Sequence, residues 1–207
     1  MLFKTTRKLF NGTYQYKIVL VCSNAHFFRN GDWQNCLHML QKSSVAPSTR
    51  NGPASFKSVE DKDYALSLYK VLSTSVNLNI RIENPWITVY TNDKNHIDDL
   101  VKLDKDRVKY ICLPPTTVSL SANNVIMPKM NYDFQVTLGK TTQEHSAFIA
   151  WAASNQKLKL TKSCIAALTR NRSWGGTHFY VTGDNNLLMA KMHLGGSISK
   201  VSRIIKA

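Results

Sequence analysis

His178 and His193 stand symmetrically about Asn185-Asn186. If the chain reverses there, as a polar Asp-Asn-Asn stretch between strand-forming runs allows, a hairpin sets the two imidazoles opposite each other. Such a pair has the makings of a general acid and base for metal-independent phosphodiester cleavage. His26, beside Phe27, Phe28 and Arg29, is a third candidate. Each also has a plain structural use, as a cross-strand polar pair or a loop imidazole packed on aromatic rings.

The remaining chemistry is thin. The chain has no phosphate-binding P-loop, no dinucleotide fingerprint, no nucleophile elbow and no H-E-x-x-H zinc motif. Its carboxylates cluster in helical stretches, Glu60, Asp61 and Asp63 and then Asp98 and Asp99, and read as solvated faces. Cys22, Cys36, Cys112 and Cys164 lie far apart in apolar surroundings, so reduced core thiols are expected, with no metal site and no cofactor.

Binding residues give a fuller pattern. Lys157 and Lys159 interleave with Leu158 and Leu160, so an extended chain turns those lysines one way and the leucines the other, and Lys162 follows. Arg170 and Arg172 precede Trp174 and two glycines, a grouping that offers guanidinium to phosphate and a ring to a base. Lys191, Lys200, Arg203 and Lys206 extend the basic series. At the front, Lys4, Lys8 and Lys17 occupy one face of a predicted ribbon, with Arg29 following, and Tyr14, Tyr16 and Tyr180 are further stacking planes.

Charge is distributed to match. The chain has 27 Lys plus Arg against 13 Asp plus Glu, a net of +14. Residues 1–59 carry a net of +7, residues 60–106 a net of −3, and residues 107–207 a net of +10. Basic ends around an acidic middle suit a polyanion, with the middle left to contact other proteins.

The elements that must position these residues follow from pattern. At 207 residues and 43% hydrophobic, the chain can bury a substantial core. Asn11-Gly12 predicts a two-residue hairpin turn that pairs Lys8 with Gln15, Thr6 with Lys17 and Lys4 with Val19. Helices are expected at about 32–41, 59–75, 95–103, 143–154 and 161–169. Strands are expected within 78–91, at 108–113 and 132–138, and in a C-terminal hairpin over 177–196. The final segment, 197–206, suits strand or helix. The segment 42–58, rich in serine and proline, reads as a mobile loop.

The fold class is α+β, with mixed or antiparallel sheets and helices on one face. Two organisations are open: ferredoxin-like lobes at 1–115 and 130–207 joined by a connector at 116–129, or a single domain. No apolar run is long enough to span a membrane, and an intracellular setting or a virus particle is expected. Small size, many asparagines and the lack of enzyme motifs suit a viral or mobile element. The leading expectation is binding of RNA or single-stranded DNA. A nuclease or other nucleic-acid-processing enzyme using histidines is the second, and a structural part of a ribonucleoprotein or virus particle the third.

Overall fold

The computed structural model describes residues 2–46, 55–116, 118–170 and 173–206. Arg172 and residues 47–54, the middle of the serine-rich segment, lie outside the described residues. The chain divides into two compact units, Met1–Ser119 and Leu120–Ala207. The architecture is α+β, with two five-stranded sheets and helices packed against them.

The first unit contains β1 (Leu2–Thr5), β2 (Tyr16–Val21), α1 (Trp33–Lys42), β3 (Ser44–Val45), β4 (Ser55–Phe56), α2 (Val59–Thr74), β5 (Leu78–Glu83), β6 (Trp86–Thr91), α3 (Lys94–Leu103) and β7 (Val108–Leu113). Its helices begin where the side chains can cap them. The Asp32 carboxylate accepts from the Asn35 N–H, the Ser58 hydroxyl from the Asp61 N–H, and the Asp93 carboxylate from the Asn95 N–H. Glu60 and Asp61 in the first turn of α2 also suit the positive end of the helix dipole. Leu68 and Leu72, one turn apart on α2, and Ile97 and Leu100 on α3 are buried against Ile18, Leu20, Ile87 and Val89 of the sheet.

The sheet order is β1-β7-β2-β6-β5. Pairs β7–β2, β2–β6 and β6–β5 are antiparallel, so β2 through β7 follow the β-α-β-β-α-β ferredoxin-like plan, with α1 and α2 both in the first crossover. β1 is an addition, lying parallel to β7 at the outer edge.

The second unit keeps that strand order, with one helix in its first crossover and a further helix where the first unit turns directly from strand to strand. Its elements are β8 (Asn124–Ile126), β9 (Phe134–Leu138), α4 (Ser146–Ala153), β10 (Leu158–Leu160), α5 (Lys162–Leu168), β11 (His178–Val181), α6 (Asp184–Leu194) and β12 (Ile198–Ile205). The order β10-β11-β9-β12-β8 is the same arrangement, and β8 lies parallel to β12 as β1 does to β7. Val136, Leu138, Phe148, Phe179 and Val181 centre its core.

Three expectations are corrected. Asn11 and Gly12 do take positive φ, 51° and 74°, but the turn closes with Phe10 bridged to Tyr14. β1 and β2 are then separated by β7, which pairs with both. The turn residues specify a local reversal only; β1 is four residues long and exposed throughout, whereas the six-residue β7 carries buried Val108, Ile111 and Cys112, so β7 takes the inner position beside β2 and β1 the edge.

The predicted C-terminal hairpin is a strand followed by a helix. Leu187, Ala190 and Leu194 recur at helical spacing, Asp184 sits in the first turn with Lys191 and His193 in the last, and Gly195 at φ 49° ends the helix. The proposed connector, 116–129, holds β8.

Candidate nucleic-acid interface

The helices of the first unit cover the sheet face bearing Ile18 and Leu20. Strand alternation places Lys17, Val19 and Val21 on the outer face. Registration carries that face across the sheet in rows: Lys4, Cys112, Lys17, Tyr90 and Asn79 form one, and Leu2, Tyr110, Val19, Thr88 and Arg81 the next. Lys4 and Lys17, expected on one face of a hairpin, do share a face, with Cys112 of β7 between them.

A bulge adds a third lysine. Val19 pairs with Tyr110, but Leu20 pairs with Val108, so Lys109 is an extra residue in β7. Its Nζ lies 3.3 Å from the centre of the Trp86 ring. The Lys4 Nζ lies 4.2 Å from the Tyr110 ring centre, and the Lys17 Nζ lies 5.1 Å from Tyr110 and 5.8 Å from Tyr90. Lysine ammonium groups thus stand beside aromatic rings across the face.

Between them is a depression of about 150 Å³ lined by Lys17, Arg81, Trp86, Tyr90, Lys109 and Tyr110, among others. Phe10, from the loop before β2, packs on one end of the face, 5.5 Å from Tyr90.

The electrostatics favour retained positive charge. Burial works against the Lys17 ammonium, yet its hydrogen bond to Tyr110 and its attraction to Tyr110, Tyr90 and Cys112 outweigh it, so its pKa is raised. Burial pushes the Cys112 thiol up, although Lys17 and Lys4 pull it down. Among the described residues, Glu83 is the acid on this face, ion-paired with Arg81. Glu60, Asp61, Asp63, Asp98 and Asp99 belong to α2 and α3, in the opposite layer.

Not every carboxylate there is a solvated one. Arg107 Nη2 is 2.7 Å from Asp61 Oδ1 and its Nε 3.0 Å from Asp104 Oδ2, with its guanidinium over Tyr64. Asp61 is therefore a structural clasp between α2 and the start of β7.

The other sequence candidates are dispersed. Lys8 is exposed in a loop and Arg29 at the kink of the 3-10 segment Ala25–Gly31, and His26 stacks edge-on against Phe27 at 4.5 Å. Tyr16, read as a stacking plane, packs against the core side of the sheet. In the second unit Lys159 and His178 share the outer sheet face with Gln135 and Thr137. Tyr180 lies on that face too, buried beside Tyr132.

His193, by contrast, sits on α6 and stacks on Trp151 at 5.0 Å. The helix that replaces the hairpin puts His178 and His193 in different layers, so they are not cross-strand neighbours. Lys157 precedes β10, Lys162 opens α5, Arg170 follows it, Lys191 is on α6 and Arg203 is on β12, all exposed.

Trp174 is 91% exposed. It is held in a narrow strip: Thr141 and Ser173 exchange backbone hydrogen bonds at 3.0 Å, and the Gly176 N–H donates to Leu138 O. Gly175, at φ 82°, lies so close to Gly139 that a Cβ would come within 2.5 Å of its backbone.

The four cysteines are buried and free, and burial raises the thiols of Cys22 to about 11 and of Cys36 and Cys164 to about 12, which leaves them inert. No cluster of three or more His, Cys, Asp or Glu able to hold a metal occurs among the described residues. No described helix is long and apolar enough to cross a membrane.

Sequence reasoning missed Lys109, Trp86, Tyr90 and Tyr110. Only the alternation within 86–91 and 108–112 hinted at them, and the bulge that turns Lys109 outward has no sequence signal. Comparison with protein-family models, with curated proteins and with solved structures finds no match.

Proposed function

We propose that this chain binds single-stranded nucleic acid on the outer sheet face of its first unit. One observation carries the reading: lysine ammonium groups stand beside aromatic rings across that face, Lys4 and Lys17 at Tyr110 and Lys109 at Trp86, with Lys17 registered opposite Tyr90. Trp86 and Tyr110 are the accessible rings, Tyr90 being buried against Phe10 and Tyr14; such rings accept unstacked bases, and the ammonium groups beside them neutralise the phosphates that link those bases. Glu60, Asp61, Asp63, Asp98 and Asp99 lie behind the sheet, away from the face on which a polyanion would dock. A sheet face favours RNA or single-stranded DNA over duplex, whose grooves are read by a protruding helix or ribbon.

The test is an anisotropy titration with labelled single-stranded RNA, single-stranded DNA and duplex. Single strands should bind more tightly than duplex, and changing Lys4, Lys17 and Lys109 together to Glu should weaken binding by an order of magnitude or more while the melting temperature stays near wild type. Unchanged affinity in the triple variant would rule this face out. Product length followed in the same reactions tests for turnover, for which the separated His178 and His193 offer no paired acid and base.

A further inference from the structure

The second unit carries a cavity of about 440 Å³ that lies apart from its outer sheet face. Three segments wall it: Lys140, Thr142 and Gln143 ahead of α4, Met192 to Leu194 at the end of α6, and the turn Gly195-Gly196-Ser197. No carboxylate lines it, and Lys140 is its lysine.

Its polar groups suit an anion. Gly196 has no heavy atom within 4 Å of the position a Cβ would take, so the cavity reaches the main chain there. The Thr142 hydroxyl and Gln143 amide add side-chain donors. α4 begins at Ser146, three residues beyond Gln143, and no side chain caps its first N–H groups, which leaves the positive end of that helix dipole uncompensated nearby. Behind the wall, His145 Nε2 and Ser197 Oγ share a 3.1 Å hydrogen bond that ties the start of α4 to the glycine turn.

Trp174 stands beside the cavity, outside its wall, and offers a free aromatic plane. The Lys140 Nζ, on the cavity wall, is 5.9 Å from the centre of the Trp174 ring. The Gly139–Gly175 approach fixes the backbone that presents this ring, and a tryptophan 91% exposed contributes nothing to the core.

We propose that the cavity is a nucleotide site, in which Lys140, the Gly196 backbone and the Thr142 hydroxyl hold a phosphate monoester and Trp174 stacks on the base. A free mononucleotide and the 5′-phosphorylated end of a strand both offer that chemistry. The site stands on the second unit alone and does not depend on the sheet face of the first.

The full chain would be titrated with AMP, adenosine and inorganic phosphate, and with one oligonucleotide carrying either a 5′-phosphate or a 5′-hydroxyl, following tryptophan fluorescence and heat. AMP is expected to bind about tenfold more tightly than adenosine, the size of one charge-assisted contact. Lys140→Gln should remove that difference, and Trp174→Leu should weaken AMP and adenosine alike and abolish most of the fluorescence change. Both side chains are exposed, so melting temperatures should hold.

Lys17→Glu should leave AMP binding intact, which separates this site from the sheet face. A preference for the phosphorylated strand over AMP assigns the site to strand ends, and comparable affinities assign it to the free nucleotide. Equal binding of AMP and adenosine, or AMP binding unchanged in both Lys140→Gln and Trp174→Leu, overturns the proposal.

Discussion

Lys109 reaches Trp86 across β2: its Nζ lies 3.3 Å from the ring centre although the two residues belong to strands that are not neighbours. The bulge opposite Val19 and Leu20 makes this contact, because a regular β7 would send Lys109 toward the helices. A cation over an accessible indole contributes about 0.5–1 kcal/mol. Lys109→Ala should lose about that much stability in urea unfolding. Trp86→Leu should lose a similar coupling only while Lys109 is present, so a double-mutant cycle reads the pair directly.

Binding to single strands should depend steeply on salt. Each phosphate neutralised on a single strand contributes about 0.7 to the slope of log affinity against log salt. Removing the Lys4 and Lys17 charges together should therefore lower that slope by about 1.4, as well as the affinity. A slope unchanged in the double variant would place the phosphate contacts elsewhere.

The sequence made some of this legible and not the rest. The α2 and α3 helices were readable because cap, dipole and apolar spacing agree at Ser58, Glu60, Leu68 and Leu72 and again at Asp93, Ile97 and Leu100. The Asn11-Gly12 turn was readable too, but a turn does not choose a strand's other neighbour. The insertion of β7 between β1 and β2 is a non-local outcome, in which the strand with buried side chains takes the inner place and the exposed β1 the edge. Around Asp184 the same polar residues serve a turn or a helix start, and the apolar spacing that followed was the deciding signal. Trp174 was legible by composition alone; its exposure was not.

Arg107 should be a stability hot spot without touching the binding face. It pairs with Asp61 and Asp104 while partly buried, and Ser23 Oγ also donates to Asp61. Arg107→Ala leaves Asp61 facing a half-buried site without its cation, and a loss of about 2–3 kcal/mol is expected in urea unfolding. Asp61→Asn in the Arg107→Ala background should recover part of that loss, since the uncompensated charge is then gone. Affinity for single strands should not change in either variant.

Gly175 and Gly196 should respond oppositely to alanine. At Gly175 a methyl meets the Gly139 backbone at 2.5 Å on a residue with φ 82°, and neither backbone can retreat without breaking the Thr141–Ser173 bonds. Gly175→Ala should cost about 2 kcal/mol or more. Gly196 has open space at the Cβ position, and Gly196→Ala should stay within about 0.5 kcal/mol of wild type.

His145 should make the chain acid-sensitive. Its side chain is buried, burial lowers its pKa from the ordinary 6.5, and its ring is held by Ser197. In the unfolded chain the imidazole takes up a proton near the ordinary value, and in the native chain only at lower pH. Across that window the unfolded state binds more protons, so stability rises with pH. The contribution is full above 6.5 and is lost as pH falls through the native value. Urea midpoints of the wild type should therefore drop as pH falls below 6.5 relative to those of His145→Gln, which cannot take up the proton. A difference between the two chains that does not vary with pH would show that His145 titrates no differently folded than unfolded. Its link to Ser197 would then act through shape and hydrogen bonding alone.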